Sequence, residues 1–282
     1  MIGDFYSDYL SRQTFIAFDT ETTGMWAPAN RLVELSAVKF NLREGEIDRF
    51  DTLINPQRDI PNEVVEIHGI TNLMVADAPY AIDVLKDFYQ FCQPDDILIA
   101  HNAPFDISFV ALEAARSELE LIDNPIVDTV EIFQKFYPGM RSYSLLNLVQ
   151  TLGFGLSQEH RALADALYVY QLFSLAAEKF SQLQSFKEFA KLHKIYRLKD
   201  LKYEEATLPD EFAQINIAVR DNKKIEIDYE QPKNRTIQKR IIQPQRIHKL
   251  GMNYYIEAYC ETVAADRTFR LDRIKSFRLL LI

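Results

Sequence analysis

Four carboxylates and one histidine, spread over three separated segments, are the residues of this chain best equipped for chemistry. Asp19 and Glu21 lie in FDTETTG, Asp106 closes HNAPFD, and His160 and Asp165 bracket HRALAD. Carboxylates supply hard oxygen ligands, and four of them can hold two divalent cations, Mg2+ or Mn2+. Such a pair can stabilise both the attacking and the departing oxygen of an in-line displacement at phosphorus. Histidine titrates near neutrality and suits the task of taking a proton from water. The set therefore points to cleavage of a phosphodiester bond.

Each residue alone has a plainer reading. Asp19 and Glu21 could be a solvated strand end, Asp106 a carboxylate in the first turn of a helix, and His160 a surface histidine. Their spacing argues otherwise. Asp19 and Glu21 are two apart at the end of the apolar run TFIAF, so the period-2 geometry of a strand puts both on one face. Like charges that close are costly unless a cation lies between them. His160 and Asp165, five apart, would diverge by about 140 degrees on one helix. They converge if His160 sits in a loop and Asp165 in the helix that follows. Asp106 comes just after the strand-like DILIA and the polar loop His101-Asn102-Ala103, a position where α/β folds place their sites.

The elements that must carry these residues alternate. Residues 14–18, 32–40 and 46–54 read as three strands with short turns, an antiparallel meander. Residues 81–92 have helical spacing, 96–100 form a buried strand, 105–116 return to helix and 126–130 form another short strand. The fold class is α/β, with a mixed sheet and flanking helices. A long helical stretch begins at 161, free of Gly and Pro to 195, apolar on more than one side and with Asp165 among its inward positions. Residues 181–207 read as a helical linker. From Lys224 onward the pattern changes to short strands separated by QPKN, GMN and AAD turns, which predicts a small β-barrel or sandwich.

The motifs resemble the DEDDh branch of the DnaQ-like 3′-to-5′ exonucleases, whose domain is ribonuclease H-like. FDTETTG resembles the first family motif with one extra threonine before the glycine; HNAPFD resembles the second, and His160 with Asp165 the third, at the family spacing. IHGIT at 67–71 resembles the family segment between the meander and the next helix. The resemblance covers roughly residues 12–177 and implies an exonuclease domain over 1–180. It implies that Asp19, Glu21, Asp106 and Asp165 bind two Mg2+ or Mn2+ ions and that His160 is the general base. Thr22, Thr23, Gly24, His68, Ile70 and Asn102 are the expected contacts to a terminal nucleotide. The expected partner is the single-stranded 3′ end of DNA or RNA.

Residues 208–282 resemble a WYL domain, a small Sm-like or SH3-like β-barrel. Tyr254-Tyr255-Ile256 stands for the naming triplet, and RTFRLDRI matches well. The resemblance implies nucleic-acid or nucleotide-ligand binding, with Arg240, Tyr254, Arg267, Arg270 and Arg273 as the expected ligand face. Arg267, Arg270 and Arg273 recur every three residues, so one flat strand cannot point them all the same way.

Composition bounds the alternatives. The chain has 282 residues, 48% hydrophobic content and a net charge of −9. That hydrophobic content excludes a mostly disordered protein. Residues 1–207 hold 18 basic against 31 acidic side chains, or −13, whereas 208–282 hold 14 against 10, or +4. An acidic domain can still meet a phosphate backbone if bound cations invert the local field. Cys92 and Cys260 lie far apart without ligand-like spacing, and no apolar run is long enough to span a bilayer, so a cytoplasmic protein without a membrane partner is expected. Two alternatives stay open on sequence: a nucleic-acid-binding regulator with weak or no nuclease activity, and a polymerase-associated proofreading subunit.

Overall fold

The apolar pattern of the first 200 residues folds around one mixed sheet. The structure is a computed structural model that describes residues 6–156, 160–201, 204–231, 235–250 and 253–280. The chain divides into two compact units at Asp200/Leu201, somewhat beyond the end expected at 180.

In the first unit, a short helix α1 (Asp8–Arg12) leads into β1 (Thr14–Thr22), β2 (Leu32–Asn41) and β3 (Gly45–Leu53), the expected antiparallel meander. Next come α2 (Asn62–His68), α3 (Asn72–Val75) and α4 (Ala81–Phe91). Then β4 (Ile97–Ala100), α5 (Pro104–Arg116), β5 (Ile126–Asp128), α6 (Thr129–Phe136), α7 (Leu145–Thr151) and α8 (Ala162–Ala177) follow. A four-residue helix α9 (Phe186–Phe189) and a two-residue strand β6 (Ile195–Tyr196) complete it. The strand order is β3-β2-β1-β4-β5-β6, with β4 parallel to β1 and β5, and β6 antiparallel to β5. Phe15, Ile16, Ala17 and Phe18 are all buried, as a central strand covered on both faces requires. Phe15 and Ala17 pack with Val169, Leu172 and Phe173 of α8. On the other face Phe18 meets Phe88 of α4, their ring centroids 6.0 Å apart.

Two expectations about the helices change. The helix begun near 161 ends at Ala177 in a turn of 3-10 helix, Glu178–Phe180. The stretch expected as a helical linker over 181–207 is not one helix. Phe189 is fully buried in the core of the first unit, and Ile195-Tyr196 extend its sheet. Apolar residues inside that polar, lysine-bearing stretch found partners on the domain, and burial outweighed local helix preference.

The second unit contains β7 (Glu204–Glu205), helix α10 (Ala213–Arg220) and strands β8 (Ile225–Glu230), β9 (Ile237–Leu250), β10 (Asn253–Cys260), β11 (Ala265–Arg270) and β12 (Ile274–Leu279). All pairings are antiparallel, in the order β11-β10-β9-β8-β12, with β7 added on β9. Ile225, Ile227 and Tyr229 alternate inward toward Ile215 and Ala218 of α10. The pairings of the described residues form an open path, so an antiparallel sheet is present where a barrel was expected. The strand β9 is longer than the short strands expected here, running unbroken from Ile237 through Pro244 to Leu250. β9 itself carries the irregularity: its register passes over Gln245, from Arg246 to Pro244, while β10 steps only from Glu257 to Ala258, and Pro244 has no N–H to give. Among the described residues no helix is long and apolar enough to cross a membrane.

Candidate active site

Local strand geometry assembles the first part of the site. β1 carries Asp19 and Glu21 on one face at its C-terminal end, opposite Ser36 and Glu34 of β2. The first turn of α8 carries Asp165, which is buried. Carboxylate oxygens of Asp19, Glu21 and Asp165 all lie within 4.8 Å of one another. Residues almost 150 positions apart thus meet, and the donor set is wholly oxygen, as Mg2+ or Mn2+ prefers.

Asp106 reaches the site from the first turn of α5, which Pro104 opens. It stands outside the three-carboxylate group, although after burial its charge is the strongest influence on Asp19. The hydroxyl of Thr20 donates to Asp106 Oδ1 at 2.8 Å. Burial and mutual repulsion dominate the electrostatics. Asp19 is pushed well above the usual carboxylate range by burial and then by Asp106, Asp165, Glu21 and Glu34. Glu21 is pushed up to about 9 by burial and by the charges of Asp165, Glu34 and Asp106, with Arg161 opposing. Burial raises Asp106 to about 7 against the Thr20 hydrogen bond. Such a cluster holds protons or cations, and a cation is the partner that lets all the carboxylates ionise together.

His160 lies in the loop before α8. It is partly exposed and adopts a left-handed backbone with φ of 48°.

The expected nucleotide contacts fall into different roles. The Thr22 hydroxyl donates to the Gly24 carbonyl at 2.8 Å, while that of Thr23 donates to Asn30 Oδ1 and accepts from the Arg31 N–H. Both side chains brace the turn, leaving its backbone and the exposed Met25 at the surface. A Cβ at Gly24 would come within 2.8 Å of Asn30 Oδ1, so that turn needs glycine. His68 is buried and its Nδ1 accepts the Ile70 N–H at 3.0 Å, which puts the neutral ring's proton on Nε2. Ile70 packs its side chain with Val33, Ile60 and Val75 in a small core cluster, which removes that side chain from any ligand surface. Asn102 is exposed and left-handed, with φ of 63°, and its N–H donates to Asp128 Oδ1 at 3.0 Å.

Several supporting residues escaped sequence reasoning. Glu34, in the apolar run LVELSAV, is 1% exposed and pairs with Arg161. Asp128 caps α6 through the Val130 N–H while holding the Asn102 loop. An acid on a buried strand was the available signal in both LVELSAV and IVDTV, since neither position is tolerable without a partner.

In the second unit the arginines are mostly engaged within the sheet. Arg270 forms two hydrogen bonds of 2.5 Å with Asp272, Arg240 donates to Gln238 Oε1, and Arg267 donates to its neighbour's carbonyl, Asp266 O. Arg267 and Arg270 lie in β11, whereas Arg273 falls in a 3-10 turn at Leu271–Arg273, which resolves their three-residue spacing. Lys249 Nζ sits 5.4 Å from the centroid of the Tyr254 ring.

Comparison with known proteins divides the chain in the same way. A family model described as Exonuclease (RNase_T) matches residues 16–173, and the WYL domain model matches residues 210–279. The chain is 42% identical over 158 residues to a DNA polymerase III PolC-type of Oceanobacillus iheyensis, covering 56% of this chain and 11% of that polymerase. It is 38% identical over 176 residues to a DNA polymerase III subunit epsilon of Treponema pallidum, covering 62% of this chain and 81% of that subunit. The fold resembles that of Exonuclease X in complex with 5′ overhanging duplex DNA, at TM-score 0.51 and 24% identity, over 63% of this chain and 98% of that one.

Proposed function

Because the chain belongs to the exonuclease family, with a DnaQ-like domain of the DEDDh type followed by a WYL domain, we propose that it hydrolyses phosphodiester bonds at nucleic-acid 3′ ends. One observation carries this reading: carboxylates from β1 and α8 converge within 4.8 Å of one another. Asp19, Glu21 and Asp165 would hold divalent cations, with Asp106 completing a site for two. Bound there, Mg2+ or Mn2+ would supply positive charge to the phosphate oxygens and to both the attacking and leaving groups.

The chain's own residues do the rest. An imidazole nitrogen of His160 takes the proton from the attacking water, and the bond from phosphorus to the 3′ oxygen of the penultimate nucleotide breaks, releasing a mononucleotide. The Thr22-Thr23-Gly24 turn offers its backbone to the terminal nucleotide, and Asn102 offers an exposed amide. In the second unit, Tyr254, Arg240, Arg267, Arg270 and Arg273 would meet a nucleic-acid strand or a nucleotide, through stacking and charge. The free, buried Cys92 and Cys260 suit a reducing, cytoplasmic setting. A 3′-labelled single strand with Mn2+ tests the reaction: mononucleotides are expected, and EDTA should stop their release. Binding without turnover would reject it.

A second reading, proofreading for a polymerase, is favoured by the likeness to PolC-type and epsilon proteins. It predicts co-purification with a polymerase subunit, and failure to bind one would exclude it.

A further inference from the structure

We propose that Glu34 and Arg161 form a clamp that positions His160, an inference that rests on the hydrolytic reading above and deepens it. Glu34 sits within an apolar strand and directly faces Glu21 across the β1–β2 pairing. Two acids opposed on a sheet destabilise it unless one has another partner. Arg161 is that partner. Its Nε lies 3.1 and 3.2 Å from the two Glu34 oxygens, and its Nη2 lies 2.5 Å from Oε1. A planar guanidinium fork can grip a carboxylate in this way, and an ammonium cannot.

The other half of the clamp is backbone. Glu34 Oε2 accepts the Ala162 N–H at 2.8 Å. Ala162 is the first residue of α8, whose N-cap residue, Arg161, makes no side-chain cap hydrogen bond. A strand residue 128 positions away therefore satisfies one of the orphan donors at the helix start. His160 directly precedes these two anchors and holds the left-handed conformation that a residue with a Cβ disfavours. With the Arg161 side chain and the Ala162 N–H both fixed on one buried carboxylate, the backbone at His160 has little freedom left. Asp165 N–H donates to the Arg161 carbonyl at 3.0 Å, the ordinary first-turn bond of α8, which does not depend on the Arg161 side chain. Glu34 and Arg161 are positioning residues: they act through His160.

The test compares Arg161→Lys and Glu34→Gln, each alone and combined with His160→Ala, in the full chain. Turnover and KM are read with a 3′-labelled strand and Mn2+, Mn2+ affinity by calorimetry, and the His160 ring by NMR without metal. Each single change should lower kcat by about ten-fold or more, with KM near that of the starting protein, because small misplacements of a catalytic group are costly. Neither should lower it further once His160 is alanine. The His160 resonance should shift or broaden in both single variants. Multiplying losses in the double variants, an unmoved resonance, or weakened Mn2+ binding by Arg161→Lys would overturn the proposal. Should Glu34→Gln fail to fold, Arg161→Lys carries the test, since that side chain is 41% exposed. A starting protein that cleaves nothing would sink the hydrolytic reading, while the resonance would still judge the clamp.

Discussion

Acids gathered at the end of β1 and three acids of the second unit shift in opposite directions, and the contrast separates a site from a scaffold. Asp19 and Glu21 at the end of β1 are raised by burial and by neighbouring acids, and Asp106 in the first turn of α5 is raised chiefly by burial. In the second unit Asp221, Glu226 and Asp272 are all lowered, each chiefly by a hydrogen bond from a basic side chain: Arg220, Lys239 and Arg270 respectively. The second unit balances its charges locally and in contact with water. The first unit gathers like charges where water is scarce, a costly arrangement that an external cation relieves.

The sharpest way to break this comparison is to remove an acid from the crowded group. Asp165→Ala or Asp19→Ala should abolish turnover in a labelled-strand assay. Retention of a normal rate by both would return those acids to a structural role. His160→Ala should cost about 10²- to 10⁴-fold in kcat and alter the pH profile, as removal of a general base does. An unchanged profile would move the proton transfer elsewhere.

A smaller effect concerns stability. The Glu21 and Asp106 carboxyls, held at about 9 and about 7, keep protons in the folded protein that the unfolded chain releases near pH 4. Stability of the metal-free protein should therefore fall as pH rises from about 4 toward those values. Mn2+ replaces the protons, so at one fixed concentration it should raise Tm more at pH 8 than at pH 5; a hundred-fold excess over Kd corresponds to about 2.7 kcal/mol of stability. Equal shifts at both pH values in a melting experiment would contradict the crowding.

The smallest effect lies in the second unit. Asp272→Asn should change stability by about 1 kcal/mol or less, since it breaks an exposed pair. It should also release Arg270 for phosphate and steepen the salt dependence of strand binding by about one ion. Arg267→Ala with Arg270→Ala should do the reverse without affecting hydrolysis of a short substrate. Identical salt slopes in all variants would leave those arginines as solubilising charge.

The sequence was most legible where structure is local. Strand alternation placed Asp19 and Glu21 on one face, the helical stretch put Asp165 inside α8, and His160 lies in the preceding loop, the placement under which the five-residue spacing lets it turn toward Asp165. It was less legible where distant partners decide. Ile70 looked like part of a ligand segment and became core because Val33 and Ile60 cover it. The Thr22 and Thr23 hydroxyls turned inward because Gly24 and Asn30 offered acceptors. The polar stretch after Ser181 was read as a helical bridge and instead placed Phe189 in a core assembled from β1, β2 and α8.

By itself the sequence determined which side chains are available for chemistry, their order, and the α/β alternation that carries them, because backbone periodicity is set by near neighbours. Tertiary structure alone decided that Glu34 faces Glu21 and that Arg161 answers Glu34. Those pairings follow from sheet register and helix docking, which fix the charges a carboxylate meets across long stretches of chain. No window along the sequence contains that information.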